Sequence, residues 1–298
     1  MPSVTANGML LEYDEFGAPD AAAMLLIMGL GSQLIAWPRV FCRRLAEHGL
    51  RVIRFDNRDA GLSTKLDGVR VSVPLASLLN PPTDLASQVP YTLDDMAHDA
   101  VGLLDALQID RAHIVGASMG GMIAQLVAAN HAQRTITLTS IMSTSGNPKL
   151  PGPRAEVAQH MFLSRPRDSS LESAIDHYVQ TWRLIGSPAY PLKDAELYER
   201  VRVELARSLY PQGFIRQYAA IAASGSRVDA LRRITAPTLV IHGSDDPLVP
   251  VEGGRDTAAN VNGSKLEIID GMGHDFPGQL LPTLIESIAR HAVAHRTT

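Results

Sequence analysis

Short, largely apolar runs recur along the chain, each followed by glycine or polar residues. They span residues 23–28, 51–56, 112–117, 135–142, 238–241 and 265–269. Their apolar character is continuous rather than alternating, which is typical of strands buried on both faces of a parallel sheet. Ahead of them, Asn7-Gly8 separates two extended runs, as in a tight hairpin. The pattern predicts a mostly parallel sheet of eight strands that opens with an antiparallel pair.

Helical periodicity separates the strands. Thr92 to Asp95 resembles a capping box, and apolar residues then recur at helical spacing as far as Leu107. Residues 119–131, 251–260 and 280–293 are predicted as helices as well. Strands that alternate with helices favour an α/β fold, in which helices pack on both faces of the sheet.

The alternation fails once, between residues 145 and 227. Several helical stretches follow one another there, punctuated by prolines, and the strand series resumes only at Thr238. We interpret residues 145–227 as a helical insertion into a core domain formed by residues 1–144 and 228–298. A second segment, residues 66–90, is too long for an ordinary connection between two elements.

Composition narrows the class of partner. The chain has 27 basic and 31 acidic side chains, so its formal charge of −4 gives no general attraction to nucleic acid or to an anionic membrane. The sequence has no run of 18 apolar residues and no leader-like start, and the single cysteine, Cys42, excludes an intramolecular disulfide. We expect a cytoplasmic protein with a small-molecule partner, and a homodimer stays open.

The pentapeptide Gly116-Ala117-Ser118-Met119-Gly120 directly follows a predicted strand and directly precedes a predicted helix. A G-x-S-x-G sequence in that context places the serine on a sharp turn, with its hydroxyl lifted clear of the backbone. The amide of Met119 begins the helix and directs a donor and a positive dipole end at the same spot. A Gly-Ser loop that only caps the helix is the alternative. The flanking elements favour Ser118 as a nucleophile.

A serine hydroxyl needs a base to remove its proton, and histidine is the usual one. His274 lies in the glycine-containing loop after the last predicted strand, where the sheet edge should bring it beside the serine. His113 and His242 belong to strands, which favours structural roles. The histidines on or at the ends of predicted helices are expected at the surface: His48, His98, His131, His291 and His295.

A carboxylate on a neighbouring loop should orient the imidazole. The turn after the strand at 238–241 offers Asp245 and Asp246, and neighbouring residues in such a turn cannot both face one imidazole. The residues alone leave that choice open. Either aspartate gives the chain order nucleophile, acid, base, which is the order of the α/β-hydrolases and not of the chymotrypsin or subtilisin groups.

Over nearly its whole length the chain resembles the α/β-hydrolase superfamily. The matching segments are Met28 to Ser32, Asp56 to Ser63, Gly116 to Gly120, His242 to Pro247 and Gly271 to His274. The family's acid is the fifth residue of its H-G-x-x-D loop, which implies Asp246. The residue after the family's His-Gly pair supplies an oxyanion-hole amide beside that of Met119, which implies Leu30. This chain has Met28 where the family often has histidine, a departure that leaves the backbone donor in place.

Within the superfamily the chain is most similar to bacterial serine esterases with a helical cap, a group that includes the aclacinomycin-type anthracycline methylesterases. This resemblance implies that residues 145–227 form the cap. Eight of the fifteen aromatic residues lie there, and such side chains can line an apolar pocket above the serine or pack the cap onto the core. Our candidates for the pocket are Trp182, Tyr178 and Phe214, with residues 66–90 as another rim.

The motifs and the resemblance together predict a serine hydrolase that cleaves small or short- to medium-chain carboxylic esters without a metal or other cofactor. A haloalkane dehalogenase or an epoxide hydrolase would need a carboxylate at the position of Ser118. Several activities use the same three side chains and stay open: methylesterase of a specialised metabolite, perhydrolase, and hydrolase of thioesters, amides or carbon–carbon bonds. A receptor that binds a ligand without turnover is the alternative of another class.

Overall fold

One sheet organises the protein. The computed structural model describes residues 1–71 and 84–295, and the strands within them have the order β1-β2-β4-β3-β5-β6-β7-β8. Only β1 with β2 and β2 with β4 pair antiparallel. The predicted sheet of eight mostly parallel strands is therefore confirmed. The bounds are β1 (Ser3–Ala6), β2 (Met9–Phe16), β3 (Ala22–Ile27), β4 (Leu50–Phe55), β5 (Ala112–Ala117), β6 (Thr135–Ile141), β7 (Thr238–Gly243) and β8 (Lys265–Ile269).

Helices cover both faces of this sheet. Consecutive residues of β3 enter different apolar clusters: Leu25 belongs to the cluster that contains α2 and α3, and Leu26 to the cluster that contains α1 and α10. Because neighbouring residues of a strand point to opposite faces, the two clusters lie on opposite sides of the sheet. The helices are α1 (Arg39–Glu47), α2 (Leu93–Ala106), α3 (Met119–Asn130), α4 (Ala155–Ala158), α5 (Leu171–Ile185), α6 (Asp194–Arg207), α7 (Pro211–Ser224), α8 (Val228–Leu231), α9 (Glu252–Asn260) and α10 (Leu281–Val293).

Two details differ from the sequence-based expectations. Helix α1 was not among the predicted helices, because only Phe41, Cys42 and Leu45 mark its buried face and basic residues lie between them. His291 was expected at the surface, but it is buried, and its Nε2 lies 3.2 Å from the carbonyl of Pro237. His291 lies where α10 meets Pro237, the residue before β7. The buried face of this amphipathic helix therefore includes one polar side chain.

The helices α4 to α7 lie between β6 and β7, where the strand series was expected to stop. α5 and α6 share a small apolar cluster of their own, which includes Ile175, Val179 and Val201. The ring of Phe162 stacks on that of Tyr218 in α7, with 4.3 Å between the ring centroids. Residues 72–83 of the segment predicted as a second pocket rim lie outside the described part of the chain.

Two buried carboxylates just after β4 connect the core to these inserted helices. Asp56 forms an ion pair with Arg207 of α6 at 2.7 Å. Asp59 accepts two hydrogen bonds from Arg216 of α7, at 2.8 and 2.7 Å, and a third from the hydroxyl of Tyr91 at 2.8 Å. Neither carboxylate has any side-chain surface in contact with water. Since a buried charge is tolerated only when it is paired, these contacts fix where α6 and α7 lie.

A third buried pair joins the same loop to α2. Arg58 donates two hydrogen bonds of 2.6 Å to Asp99, and Asn7 donates a further one of 2.9 Å to the same carboxylate. The side chains of Arg58 and Asp99 are 6% and 2% exposed, so each charge depends on the other for its solvation. Neither side chain lines the cavity above Ser118, so the pair can be tested through the stability of the fold.

Replacing Asp99 with alanine should therefore leave Arg58 as an unpaired buried charge and lower the free energy of unfolding by about 3–5 kcal/mol. The double substitution Arg58→Met with Asp99→Leu should recover most of that loss, because no charge then remains to be solvated. Urea denaturation followed by circular dichroism measures both effects.

The matched control is Asp229→Ala, which removes the 3.2 Å pair with Arg232 at side chains that are 90% and 63% exposed. This change should cost less than about 1 kcal/mol, because water already solvates both groups. Equal losses for the buried and the exposed pair would contradict the interpretation.

Candidate active site

Four loops bring the residues singled out by the sequence to one edge of the sheet. Leu30 follows β3, Ser118 follows β5, Asp246 follows β7 and His274 follows β8. These strands are parallel, so their carboxyl ends lie at the same edge, where open α/β sheets bind their ligands. Positions that are far apart in sequence thus converge.

Ser118 occupies a strained turn between β5 and α3. Its φ of 57° and ψ of −121° lie in a region that residues with a side chain rarely adopt, at a cost of about 1–3 kcal/mol. Close packing enforces the turn: a Cβ on Gly116 would lie 2.0 Å from the carbonyl oxygen of Gly120, and a Cβ on Gly120 would lie 2.1 Å from that of Ile27. The two glycines of the pentapeptide are therefore required by backbone contact.

His274 lies between the serine and Asp246. Its Nε2 is 2.9 Å from Ser118 Oγ, and its Nδ1 is 2.6 Å from Asp246 Oδ2. The short Nδ1 contact assigns the proton of the neutral ring to Nδ1, which leaves Nε2 free to accept the serine proton. All three side chains line up in one chain of hydrogen bonds.

Asp246 is held as an anion by its loop. Its Oδ1 accepts hydrogen bonds from the amides of Leu248 and Val249 at 2.9 and 2.8 Å. Burial acts to raise the pKa of Asp246, but the charge of His274 and hydrogen bonds from His242 and His274 outweigh burial and lower the pKa to about 2. Asp246 is thus a carboxylate at neutral pH.

Asp245, the alternative acid, faces elsewhere. Its Oδ2 accepts a hydrogen bond of 2.6 Å from the hydroxyl of Ser244, and its amide donates to the carbonyl of Met272. The structure therefore brings Asp246 and not Asp245 to His274. His242 supports the same loop, because its Nε2 donates to the carbonyl of Val249 at 2.8 Å.

The backbone around Leu30 is fixed against the serine. A Cβ on Gly29 would lie 3.1 Å from the Cβ of Ser118, so this loop lies directly against the Ser118 side chain. The side-chain amide of Asn57 donates a hydrogen bond of 2.9 Å to the carbonyl of Met28. The backbone amide of Gly31 donates one of 2.8 Å to Gln217 Oε1 of α7. Met28, the departure from the family pattern, thus helps to fix this loop through its backbone carbonyl. The amide of Met119 is free of its own helix, because it belongs to the first residue of α3.

A cavity of about 400 Å³ opens above Ser118 and His274. Trp182, Tyr178 and Phe214, the three candidate pocket residues, all line it. The guanidinium of Arg200 stacks on the ring of Trp182, 3.9 Å from the centroid. Apolar side chains dominate the wall, which suits a site that excludes water from a reacting ester.

The sequence reasoning missed several contributors to this site. Asp275, the residue after His274, is buried and lines the cavity. Gln217 bridges the Gly31 amide and the carbonyl of Arg58 through its two amide atoms. A charged residue beside the candidate base was a visible signal for Asp275, whereas nothing in the local sequence marks a glutamine in the middle of α7.

Two further features concern metal ions and membranes. Within residues 1–71 and 84–295, no group of three or more histidine, cysteine, aspartate or glutamate side chains is placed to hold a metal ion. None of the helices formed by those residues is long and apolar enough to cross a bilayer.

Two known proteins of similar sequence, which align over nearly their full length, are named methylesterases. The chain is 29% identical to rhodomycin D methylesterase DauP of Streptomyces sp. strain C5, with 98% of this chain and 97% of that protein aligned. It is 28% identical to rhodomycin D methylesterase DnrP of Streptomyces peucetius over the same shares. These two relatives confirm the resemblance to the anthracycline methylesterase group.

A solved structure and a family profile address the fold. The meta-cleavage product hydrolase of Pseudomonas fluorescens IP01 superposes with a TM-score of 0.76 at 19% identity, covering 98% of this chain and 97% of that one. The profile of the alpha/beta hydrolase fold matches residues 22–277, which include the loops that carry Leu30, Ser118, Asp246 and His274. The chain therefore belongs to the alpha/beta hydrolase fold family.

Proposed function

We propose that this protein hydrolyses carboxylic esters through an acyl-enzyme, with Ser118 as nucleophile, His274 as general base and Asp246 as the orienting acid. The observation that carries the proposal is the run of hydrogen bonds from Ser118 Oγ through both ring nitrogens of His274 to Asp246, at 2.9 and 2.6 Å. The ester class is supported by full-length relatives that are named methylesterases.

The steps follow from these positions. Nε2 of His274 takes the hydroxyl proton as Ser118 Oγ attacks the ester carbonyl, and the Asp246 carboxylate stabilises the imidazolium that forms. The amides of Leu30 and Met119 receive the negative oxygen of the tetrahedral intermediate. His274 then protonates the departing alcohol. In the second half His274 removes a proton from water as the water oxygen attacks the acyl carbon. The bond from that carbon to Ser118 Oγ then breaks, His274 returns the proton to Oγ, and the carboxylic acid is released.

We assign residues 145–227 the role of a cap that sets substrate size. A cavity of about 400 Å³ lies at the small end of the range for ligand sites, roughly 300–1,000 Å³. We therefore propose short- to medium-chain or otherwise small esters as substrates. The wall includes three aromatic side chains from α5 and α7: Trp182, Tyr178 and Phe214. Substitutions at these positions therefore change the shape of the wall and leave the reacting groups in place.

The second candidate is a methylesterase that acts on a specialised metabolite, because both named relatives carry that activity over their full length. Hydrolysis of p-nitrophenyl esters from acetate to palmitate, followed by methyl esters with acyl groups of increasing size, separates the two. Preference for bulky methyl esters would favour the second candidate. Recovery of every ester intact after long incubation would favour a receptor and contradict both.

Replacing Ser118 with alanine should reduce turnover of p-nitrophenyl butyrate below about 1% of the wild-type rate, because loss of the nucleophile removes the covalent step. The variant should keep its far-ultraviolet circular dichroism. A fluorophosphonate probe should label the wild type at Ser118, as peptide mass spectrometry can verify. Activity well above that level in a folded variant would contradict the assignment.

The two neighbouring aspartates provide a matched pair. Asp246→Asn should lower kcat by about 10³ to 10⁴, because an amide presents the wrong partner to His274 Nδ1. Asp245→Asn should lower kcat by less than about tenfold, since Asp245 contacts Ser244 and not the imidazole. Steady-state kinetics on one soluble ester measures both, and the reverse order would move the acid to Asp245.

Trp182→Ala should enlarge the cavity and shift the ratio of kcat/KM between small and bulky esters by roughly 1–3 kcal/mol, the usual value of pocket contacts. Labelling of Ser118 by the fluorophosphonate should persist. An equal loss on every ester would indicate that Trp182 serves the packing of α5 and α6. Faster hydrolysis of emulsified palmitate esters than of soluble butyrate esters would contradict the proposed short-chain preference.

A further inference from the structure

The carboxyl group of Asp275 lies beside the catalytic cavity but takes no part in the mechanism proposed above. It follows His274 directly in the chain, and the residue is only 4% exposed. Asp275 lines the cavity above Ser118 and also a neighbouring cavity of about 330 Å³. Among the described residues, Trp182 is the other one that lines both cavities, so Asp275 lies at the boundary between them.

One oxygen of Asp275 is fully engaged. Its Oδ1 accepts the amide of Ser187 at 3.1 Å and the hydroxyl of Ser187 at 2.5 Å. The backbone around it is also fixed, because the amide of His274 donates 2.7 Å to the carbonyl of Ile185. The carboxyl group is therefore held in one orientation.

The other oxygen has no such partner. Within residues 1–71 and 84–295, neither a hydrogen-bond donor nor an ion-pair partner contacts Asp275 Oδ2. This oxygen lies near Gly186, and it is 3.5 Å from the position that a Cβ on that glycine would occupy. Burial raises the pKa of Asp275, and the Ser187 hydrogen bonds and the charges of Arg200 and His274 only partly offset it.

The other acidic and basic side chains on the wall of the catalytic cavity are already paired. Asp59 binds Arg216, and Arg200 binds Glu204 at 3.0 Å while it stacks on Trp182. Each of those groups already forms an ion pair within the protein. Among the described residues of this wall, Asp275 is thus the carboxyl group that forms no ion pair, and a carboxylate buried there is stable only when a partner neutralises it.

We propose that Asp275 forms a subsite for a protonated amine of the substrate, which donates a hydrogen bond to Oδ2. The inference rests on the proposed ester hydrolysis and deepens it by naming a charged group that the ester carries. A protonated amine fits because it is a cation and a donor at once, and charge-assisted hydrogen bonds are the strong ones in a water-poor site. Ser187 orients the carboxylate, and the cavity wall supplies the apolar contacts.

The test compares esters of equal shape. On the alcohol side the pair is 2-(dimethylamino)ethyl butyrate and 3-methylbutyl butyrate, and on the acyl side it is methyl 4-(dimethylamino)butanoate and methyl 5-methylhexanoate. In each pair a protonated dimethylamino group replaces an isopropyl group. For at least one pair, kcat/KM in the wild type should favour the amine. Asp275→Asn should lower that amine-to-isopropyl ratio by at least about tenfold.

The asparagine variant keeps an oxygen for Ser187, so the loop of His274 should stay in place and the isopropyl esters should lose less than about threefold. The matched control is Asp245→Asn, which neutralises a carboxylate of the second cavity that Ser244 already contacts and should leave the ratio unchanged. Equal losses on amine and isopropyl esters in Asp275→Asn would overturn the subsite and leave a structural role. A wild-type preference for isopropyl in both pairs would overturn it as well.

A measurement without turnover separates this inference from the proposed activity. Calorimetry should show that hexylammonium binds the wild type at least about tenfold more tightly than 1-hexanol does, and that Asp275→Asn removes the difference. If no ester is hydrolysed but this difference is present, the subsite stands and the proposed activity falls. If esters are hydrolysed and the difference is absent in the wild type, the subsite falls and the activity stands.

Discussion

Charged side chains that are removed from water must be paired, and in this protein that requirement joins the inserted helices to the sheet. Asp56 and Asp59 follow β4, and their side chains have no exposed surface. Their partners Arg207 and Arg216 come from α6 and α7. Either ion without its partner would cost several kcal/mol, so α6 and α7 cannot lift away from the core independently. The contacts also set the cavity, because Phe214 lies two residues before Arg216 and lines it.

The same loop supports the proposed chemistry. Asn57, between the two carboxylates, holds the carbonyl of Met28, and Gln217 of α7 holds the amide of Gly31. The backbone on both sides of Leu30 is therefore fixed by the core and by the insertion together. A preorganised donor is more effective than one that must be moved into place, because no free energy is spent on reorganisation when the oxyanion forms.

Some of this could be predicted from sequence and some could not, for physical reasons. Gly116, Ser118 and Gly120 form a local motif, because the turn they make is determined by contacts within five residues and one neighbouring strand. The aspartate facing His274 depends on how a loop turns: Asp245 and Asp246 are chemically equal, and the amides of Leu248 and Val249 decide which one is oriented.

Longer-range contacts left no local trace. Helix α1 has a short apolar face interrupted by arginines. Arg54 of β4 is buried because Asp14 of β2 lies 2.8 Å away and the carbonyls of Leu34 and Trp37 accept its other hydrogen bonds. The position of Trp182 on the cavity wall depends on the packing of α5 against α6. The aromatic content of the insertion predicted a pocket, but the particular rings that line it follow from tertiary structure.

The division that we propose between a chemical core and a cap that sets specificity is less complete than the chain order implies. None of Ser118, Asp246 and His274 comes from residues 145–227, yet the amide of His274 donates to Ile185 at the end of α5. A Cβ on Gly273 would lie 2.5 Å from the carbonyl oxygen of Gly186, so the loop of His274 and the end of α5 are in backbone contact. The last carbonyls of a helix need donors from outside it, and here the loop of His274 supplies one. A change that moves α5 therefore acts on the cavity wall and on the imidazole at the same time, whereas a change of one side chain such as Trp182 can act on the wall alone.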